Sequence, residues 1–225
     1  MSMFSNTGVL TSALLLSCLL SVADDARLST TETLDFPAGG TLCVQNSTGD
    51  LLIEGWDQTG VEITTTMSAK KKRDRDRVQI STKRDGAELV VTTTFPHHRA
   101  LPYVTPLSTV TNFDLEYHIK VPRSVKLIVK HDDGEVHIDD VTGNIQVKAR
   151  QGLIALRLAG ETPPAIDAKS DFGSVNSDFA GNQTRHPWWP FAPQFVGSAS
   201  SAPQQVHLKI GCGDIVILKA HKPAL

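Results

Sequence analysis

The stretch Gly134-Glu-Val-His-Ile-Asp-Asp-Val-Thr-Gly143-Asn-Ile-Gln-Val-Lys-Ala-Arg-Gln-Gly152-Leu-Ile-Ala-Leu decides the fold class of this chain. After each glycine a few residues alternate between apolar and polar, the period of a half-buried strand. The glycines recur about every nine residues, the length of one short strand plus one tight turn. The phrase returns as Gly173-Ser-Val-Asn-Ser and Gly213-Asp-Ile-Val-Ile, and an earlier copy, Gly49-Asp-Leu-Leu-Ile-Glu-Gly-Trp, opens the folded region. Self-similarity at a fixed period is the signature of a stacked, repetitive β architecture. It predicts an all-β chain built as a right-handed β-solenoid or β-helix-like stack of short strands, with an N-terminal antiparallel sheet as a possible addition. An antiparallel β-sandwich is the alternative, since Asp85-Gly86 reads as a hairpin turn.

Working outward, Thr30 to Pro37, Gly40 to Asn46, Asp50 to Trp56 and Val61 to Ser68 read as strands dense in β-branched residues. Lys70 to Arg77 alternates basic residues with aspartates and has no apolar anchor, so it reads as a solvated connection. Val78 to Lys83 and Ala87 to Phe95 form the hairpin around Asp85-Gly86. Pro96 to Asn112 is a loop, and Phe113 to Val121 and Val125 to Lys130 are strands. Residues 182–205 break the rhythm and predict an insertion projecting from one side. Asp214 to Lys219 restores the repeat.

The 225 residues are 40% hydrophobic with a formal charge of −2, which fits one domain with a core of its own. Near-neutral charge supplies no basic field for phosphates, so no nucleic acid is expected as a partner. The apolar run Gly8 to Val22 followed by Ser21-Val22-Ala23 has the form of a cleaved signal peptide over residues 1–23, although no Lys or Arg precedes it. The remaining chain, 24–225, is then a single β-repeat domain that is exported to the periplasm, the outer-membrane surface or the medium. Membrane association arises only if Cys18 is lipidated or the signal stays uncleaved.

Cys43 and Cys212 remain after such cleavage, and two thiols in an exported protein suggest a bridge. Coils stacked at about 4.8 Å each put the first and last coils far apart. A disulfide needs Cα atoms within about 7 Å. The expectation is therefore two separate buried thiols at inward strand positions.

Gly49-Asp-Leu-Leu-Ile-Glu-Gly-Trp-Asp, Tyr117-His-Ile-Lys-Val-Pro122 and the run from Gly134-Glu-Val through Gly143-Asn-Ile resemble the bacterial "putative adhesin" family over roughly Thr41 to Lys219. The resemblance implies an exported β-solenoid domain, akin to the head domains of cell-surface proteins, and supplies no catalytic residues. Its motifs are structural, turn glycines and alternating strands, so it speaks to fold more than to activity.

Candidate chemistry is sparse. The sequence has no Gly-x-Ser-x-Gly elbow, no His-Glu-x-x-His motif and no phosphate-cradling glycine loop. Asp132, Asp133, Glu135, Asp139 and Asp140 could pair as acid and base on a β-helix, but Asp beside Gly favours turns. His131 and His137 are read as surface histidines, because Gly134 turns the chain between them and removes a shared face. No catalytic residue, metal or cofactor is expected. The candidate binding residues are Trp188, Trp189 and Phe191, held between Pro187 and Pro190. Those rings either cap the open end of the stack or stack on a partner. Together these features predict a non-catalytic, adhesin-like or envelope-associated domain whose partner is a cell-surface glycan or protein. A carbohydrate-active enzyme using turn carboxylates is the competing class.

Overall fold

The computed structural model describes residues 27–37, 39–69, 79–94, 113–159, 162–184, 192–197 and 202–220. The segment 1–23, Cys18, the basic connection 70–77 and the ring-bearing positions 188, 189 and 191 lie outside them. Every regular element among the described residues is a strand. They are β1 (Arg27–Leu34), β2 (Thr41–Thr48), β3 (Asp50–Trp56), β4 (Val61–Ala69), β5 (Gln79–Asp85), β6 (Glu88–Thr94) and β7 (Phe113–Pro122), followed by β8 (Lys126–Asp139), β9 (Ile145–Ala159), β10 (Ala165–Phe172), β11 (Val175–Ser177), β12 (Gly181–Thr184), β13 (Gln194–Gly197) and β14 (Gln205–Ala220). They form one mixed sheet of fourteen strands that is not closed.

The centre of the sheet is parallel and its margins are antiparallel. Five rungs lie side by side in the order β2 with β3, β8, β9, β14, and β10 with β11. On one flank β7, β4 and β1 extend the sheet beyond β3, and the β5–β6 hairpin adds to β2. On the other, β13 and β12 extend it beyond β10. An antiparallel sandwich therefore does not describe the centre. The coil-after-coil order of a solenoid holds from β8 to β9 and departs afterwards, because β14 lies between β9 and β10.

The nine-residue rhythm resolves into a longer unit. Gly134 and Gly152 do not end strands; they bend β8 and β9 in the middle, whereas Gly143 lies in the turn between those strands and donates its N–H to the Arg123 carbonyl. Gly134 and Gly152 face each other in register, and Gly152 faces Gly213. At φ of +130° and +122° both occupy backbone that side chains rarely adopt. A Cβ on Gly152 would press into the Gly134 carbonyl oxygen. Close approach and dihedral thus both demand glycine here.

The bend also resets the alternation. Before Gly134 the buried residues are Leu127, Val129 and His131; after it they are Val136 and Ile138. In β9 they are Ile145, Val147 and Ala149, then Ile154, Leu156 and Leu158. Inward residues shift from odd to even positions at the corner, so both halves of each long strand feed one core. That core is continuous across the two leaves. Tyr117 of β7 and Thr93 of β6, on opposite leaves, share a buried hydrogen bond of 2.6 Å. Ile154 is fully buried between Val136 and Ile215. Such a side chain contributes about 1.5–3 kcal/mol of transfer free energy.

Arg123 ties the turns together. Its Nε donates to Asp57 at 2.7 Å, its Nη1 stands 3.4 Å from Asp140, and its carbonyl accepts from Thr142 and Gly143. The Arg123 guanidinium holds the Asp57 carboxyl below the usual carboxylate range.

Candidate binding surface

Trp188, Trp189 and Phe191 lie outside the described residues, but the strands that flank them do not. Within the segment expected as a projecting insertion over 182–205, the described residues include β13 and most of β12, at the sheet edge. β12 and β13 pair antiparallel, and β13 continues onto β10. The Phe195 ring packs over Gly181, where any side chain would collide with it.

The outer face of the leaf formed by the second halves of the rungs is acidic. Asp50, Glu54, Glu116, Glu135, Asp139 and Asp214 all stand on it, and each is engaged. Asp50 accepts from the Glu135 N–H, and Asp214 accepts from both the N–H and the hydroxyl of Ser174. Asp139 pairs with Arg157 at 2.9 Å, Glu54 with His118 at 3.2 Å, Glu135 with His137 at 2.8 Å and Glu116 with Arg27 at 3.5 Å. Asp133 accepts from Gln151 at 2.8 Å. Of the candidate carboxylates, Asp133, Glu135, Asp139 and Asp140 thus spend oxygens on the scaffold, and Asp132 stands exposed. Among the described residues no group of three or more His, Cys, Asp or Glu is placed to hold a metal ion.

The two histidines separate across the bend, as the intervening glycine requires, but His131 is not a surface residue. Its ring is 2% exposed and directed inward, paired in register with Asn46. Its Nε2 lies 3.0 Å from where a Gly134 Cβ would stand. Among the described residues neither ring nitrogen has a hydrogen-bond partner, although the Asp133 backbone stands near enough to favour the charged ring. Burial pushes the imidazole below its ordinary value, against the opposing pull of Asp132, Asp133 and Asp50.

The cysteines are unbridged, as expected, but only one is buried. Cys43 donates to Glu88 at 3.1 Å, and burial together with that carboxylate pushes its thiol up to about 11. Cys212 is exposed, one residue before the corner at Gly213 where the alternation resets.

The opposite leaf, formed by the first halves of the rungs, carries an outward row of lysines. Lys130 pairs in register with Lys148, Lys148 with Lys209, and Lys209 with Lys169. Asp171 lies 3.6 Å from Lys169 and 3.7 Å from Lys209. Lys130 and Lys148 are exposed and have no carboxylate within ion-pair distance among the described residues. Sequence reasoning missed this row, yet the signal was present: each lysine stands four residues before its corner glycine, at 134, 152, 173 and 213. A cleft of about 430 Å³ opens elsewhere, between β1 and β5, lined by Thr33, Leu34, Asp35, Thr82, Arg84 and Leu89. Arg84 crosses it to donate to the Asp35 carbonyl.

No family model and no curated protein matches the chain. Among solved structures, the chain is similar to one described as a putative cell adhesion protein from Clostridium sporogenes. The two share 13% identity and a TM-score of 0.54, over 87% of this chain and all of that one. At that identity the likeness establishes a shared fold and no more. Structures described as putative adhesins from Bacteroides fragilis and Parabacteroides distasonis align over 85% and 86% of this chain and 97% of each of theirs. Both share 11% identity, at TM-scores of 0.29 and 0.24.

Proposed function

We propose that this chain is a non-catalytic, exported domain that acts through surface contacts, adhesin-like or associated with the cell envelope, in the periplasm, on the outer-membrane surface or outside the cell. The observation that carries the reading is the division of labour between the two outer faces. Of the carboxylates that would serve as acid and base in a glycosidase, Asp133 is tied to Gln151, Glu135 to His137, Asp139 to Arg157 and Asp140 to Arg123. The opposite leaf offers a row of four lysines of which Lys130 and Lys148 have no carboxylate within ion-pair distance among the described residues. Enzymes concentrate perturbed titratable groups in a pocket, whereas here a wide, shallow surface dominates. On this reading the five rungs are a short solenoid-like scaffold, supported by the in-register glycine column, and the segment with Trp188, Trp189 and Phe191, which joins β12 to β13 in the sequence, is a second contact element.

Incubating the protein with a panel of polysaccharides, scoring retention and newly formed reducing ends together, tests the proposal. Retention without reducing ends is expected. Reducing ends that disappear in Asp133→Ala or Asp139→Ala, with the fold intact, would favour the glycosidase class instead.

A further inference from the structure

We infer that the lysine row is a binding track for an extended acidic polysaccharide carrying a carboxylate on each sugar. The inference rests on the non-catalytic contact reading above and names its partner. Lys130, Lys148, Lys209 and Lys169 occupy one register position on four adjacent parallel strands. Neighbouring strands are about 4.8 Å apart, so three steps give a straight line of cations about 14 Å long, running across the strands. The row continues into a neutral residue, Gln45 on β2, which sets one end.

Like charges placed directly opposite on neighbouring strands repel and weaken a sheet. Three such contacts follow one another here, and the one carboxylate within ion-pair distance of the row among the described residues, Asp171, reaches only its Lys169 and Lys209 end, with Asp132 and Asp167 two residues along the strand from Lys130 and Lys169. On the other leaf the same fold places partners beside its charges: Lys120 meets Glu62 at 3.0 Å and Arg157 meets Asp139 at 2.9 Å. The unpaired half of the row, Lys130 and Lys148, is thus a departure from the protein's own practice, and uncompensated departures of this kind are expected where a partner supplies the missing charge.

The geometry selects the class of anion. A single small anion can meet one or two of these lysines, whereas a linear polymer meets the row in sequence. Each ammonium is a compact charge with three donors on a flexible stem, able to follow carboxylates that do not repeat at the strand spacing. The row lies on the central strands and away from the cleft between β1 and β5, so an extended chain can lie along it without entering the fold.

The test uses the full chain and oligogalacturonides of increasing length, with affinity measured by calorimetry at low salt and then at about 1 M salt, where the Debye length is about 3 Å. Affinity should rise with length until the oligomer spans the four lysines, then level off, and should vanish at high salt. The double variant Lys130→Gln with Lys148→Gln should bind on the order of tenfold more weakly, as expected for two exposed ion pairs at the upper end of their usual strength. Its melting temperature should equal or exceed that of the parent, since repulsion is relieved, which separates lost binding from lost folding. Lys120→Gln on the other leaf should bind as the parent does. Unchanged affinity in the double variant, no dependence on length, or equally tight binding of duplex DNA would each overturn the track. Tight binding of an uncharged glycan with the row untouched would overturn it too and leave the contact reading standing. Release of reducing ends would overturn the contact reading instead.

Discussion

Replacing Gly152 by alanine tests the corner on which the fold depends. Gly152 sits in the middle of the register column, at φ +122°, with its neighbour's carbonyl occupying the space a Cβ would need. Holding a side chain in such backbone costs about 1–3 kcal/mol. Forcing the methyl against the Gly134 backbone adds an overpacking term of about 1–3 kcal/mol, because both strands are pinned by their ladders. The sum, centred near 4 kcal/mol, is a large share of the roughly 5–15 kcal/mol that stabilises a domain. At about 2–4 °C per kcal/mol for a chain of this size, the melting temperature should fall by about 8–16 °C. Gly86→Ala provides the scale: Gly86 also has positive φ, +58°, but nothing lies within 4 Å of a Cβ there. That variant should cost only the dihedral term, about 1–2 kcal/mol. Thermal and urea unfolding followed by far-ultraviolet circular dichroism gives both numbers. A Gly152→Ala loss no larger than that of Gly86→Ala would refute the stacked-corner argument.

Two further outcomes follow from the buried groups. Because burial depresses the His131 imidazole, the unfolded chain takes up that proton first. Stability is then complete above the ordinary value of 6.5 and declines as pH falls below it, with a slope of at most about 1.4 kcal/mol per pH unit. Urea midpoints compared across that range should flatten in His131→Leu, and equal slopes in both proteins would refute the assignment. For the thiols, native alkylation followed by peptide mapping should modify exposed Cys212 readily and Cys43, raised to about 11, only after unfolding.

Much of the fold was legible in the sequence because alternation and turn chemistry are local. Asp50 to Trp56 is a strand with those bounds, and the Asp85-Gly86 hairpin forms with Asp85 opposite Glu88. The meaning of the repeat glycines was half legible: a glycine between alternating segments is compatible with a turn that ends a strand and with a corner that bends one. Only the pairing partners decide, as Gly134 facing Gly152 does. The position of β14 between β9 and β10 is a long-range fact with no local sign. Gly134 between His131 and His137 argues against a shared metal-binding face and leaves both as surface histidines, yet the strand before the bend places His131 inward beside Asn46. The lysine row was within reach of sequence reasoning, since the spacing to each corner glycine is constant, but it becomes a row only once the glycines are known to align.

Lysine footprinting addresses the central claim most directly. The full chain is acetylated with and without saturating polygalacturonate, and each lysine is quantified by mass spectrometry. Protection at Lys130, Lys148, Lys209 and Lys169, with Lys120 and Lys219 unchanged, is the predicted result. Protection centred on the acidic leaf, or spread evenly over all lysines, would contradict it.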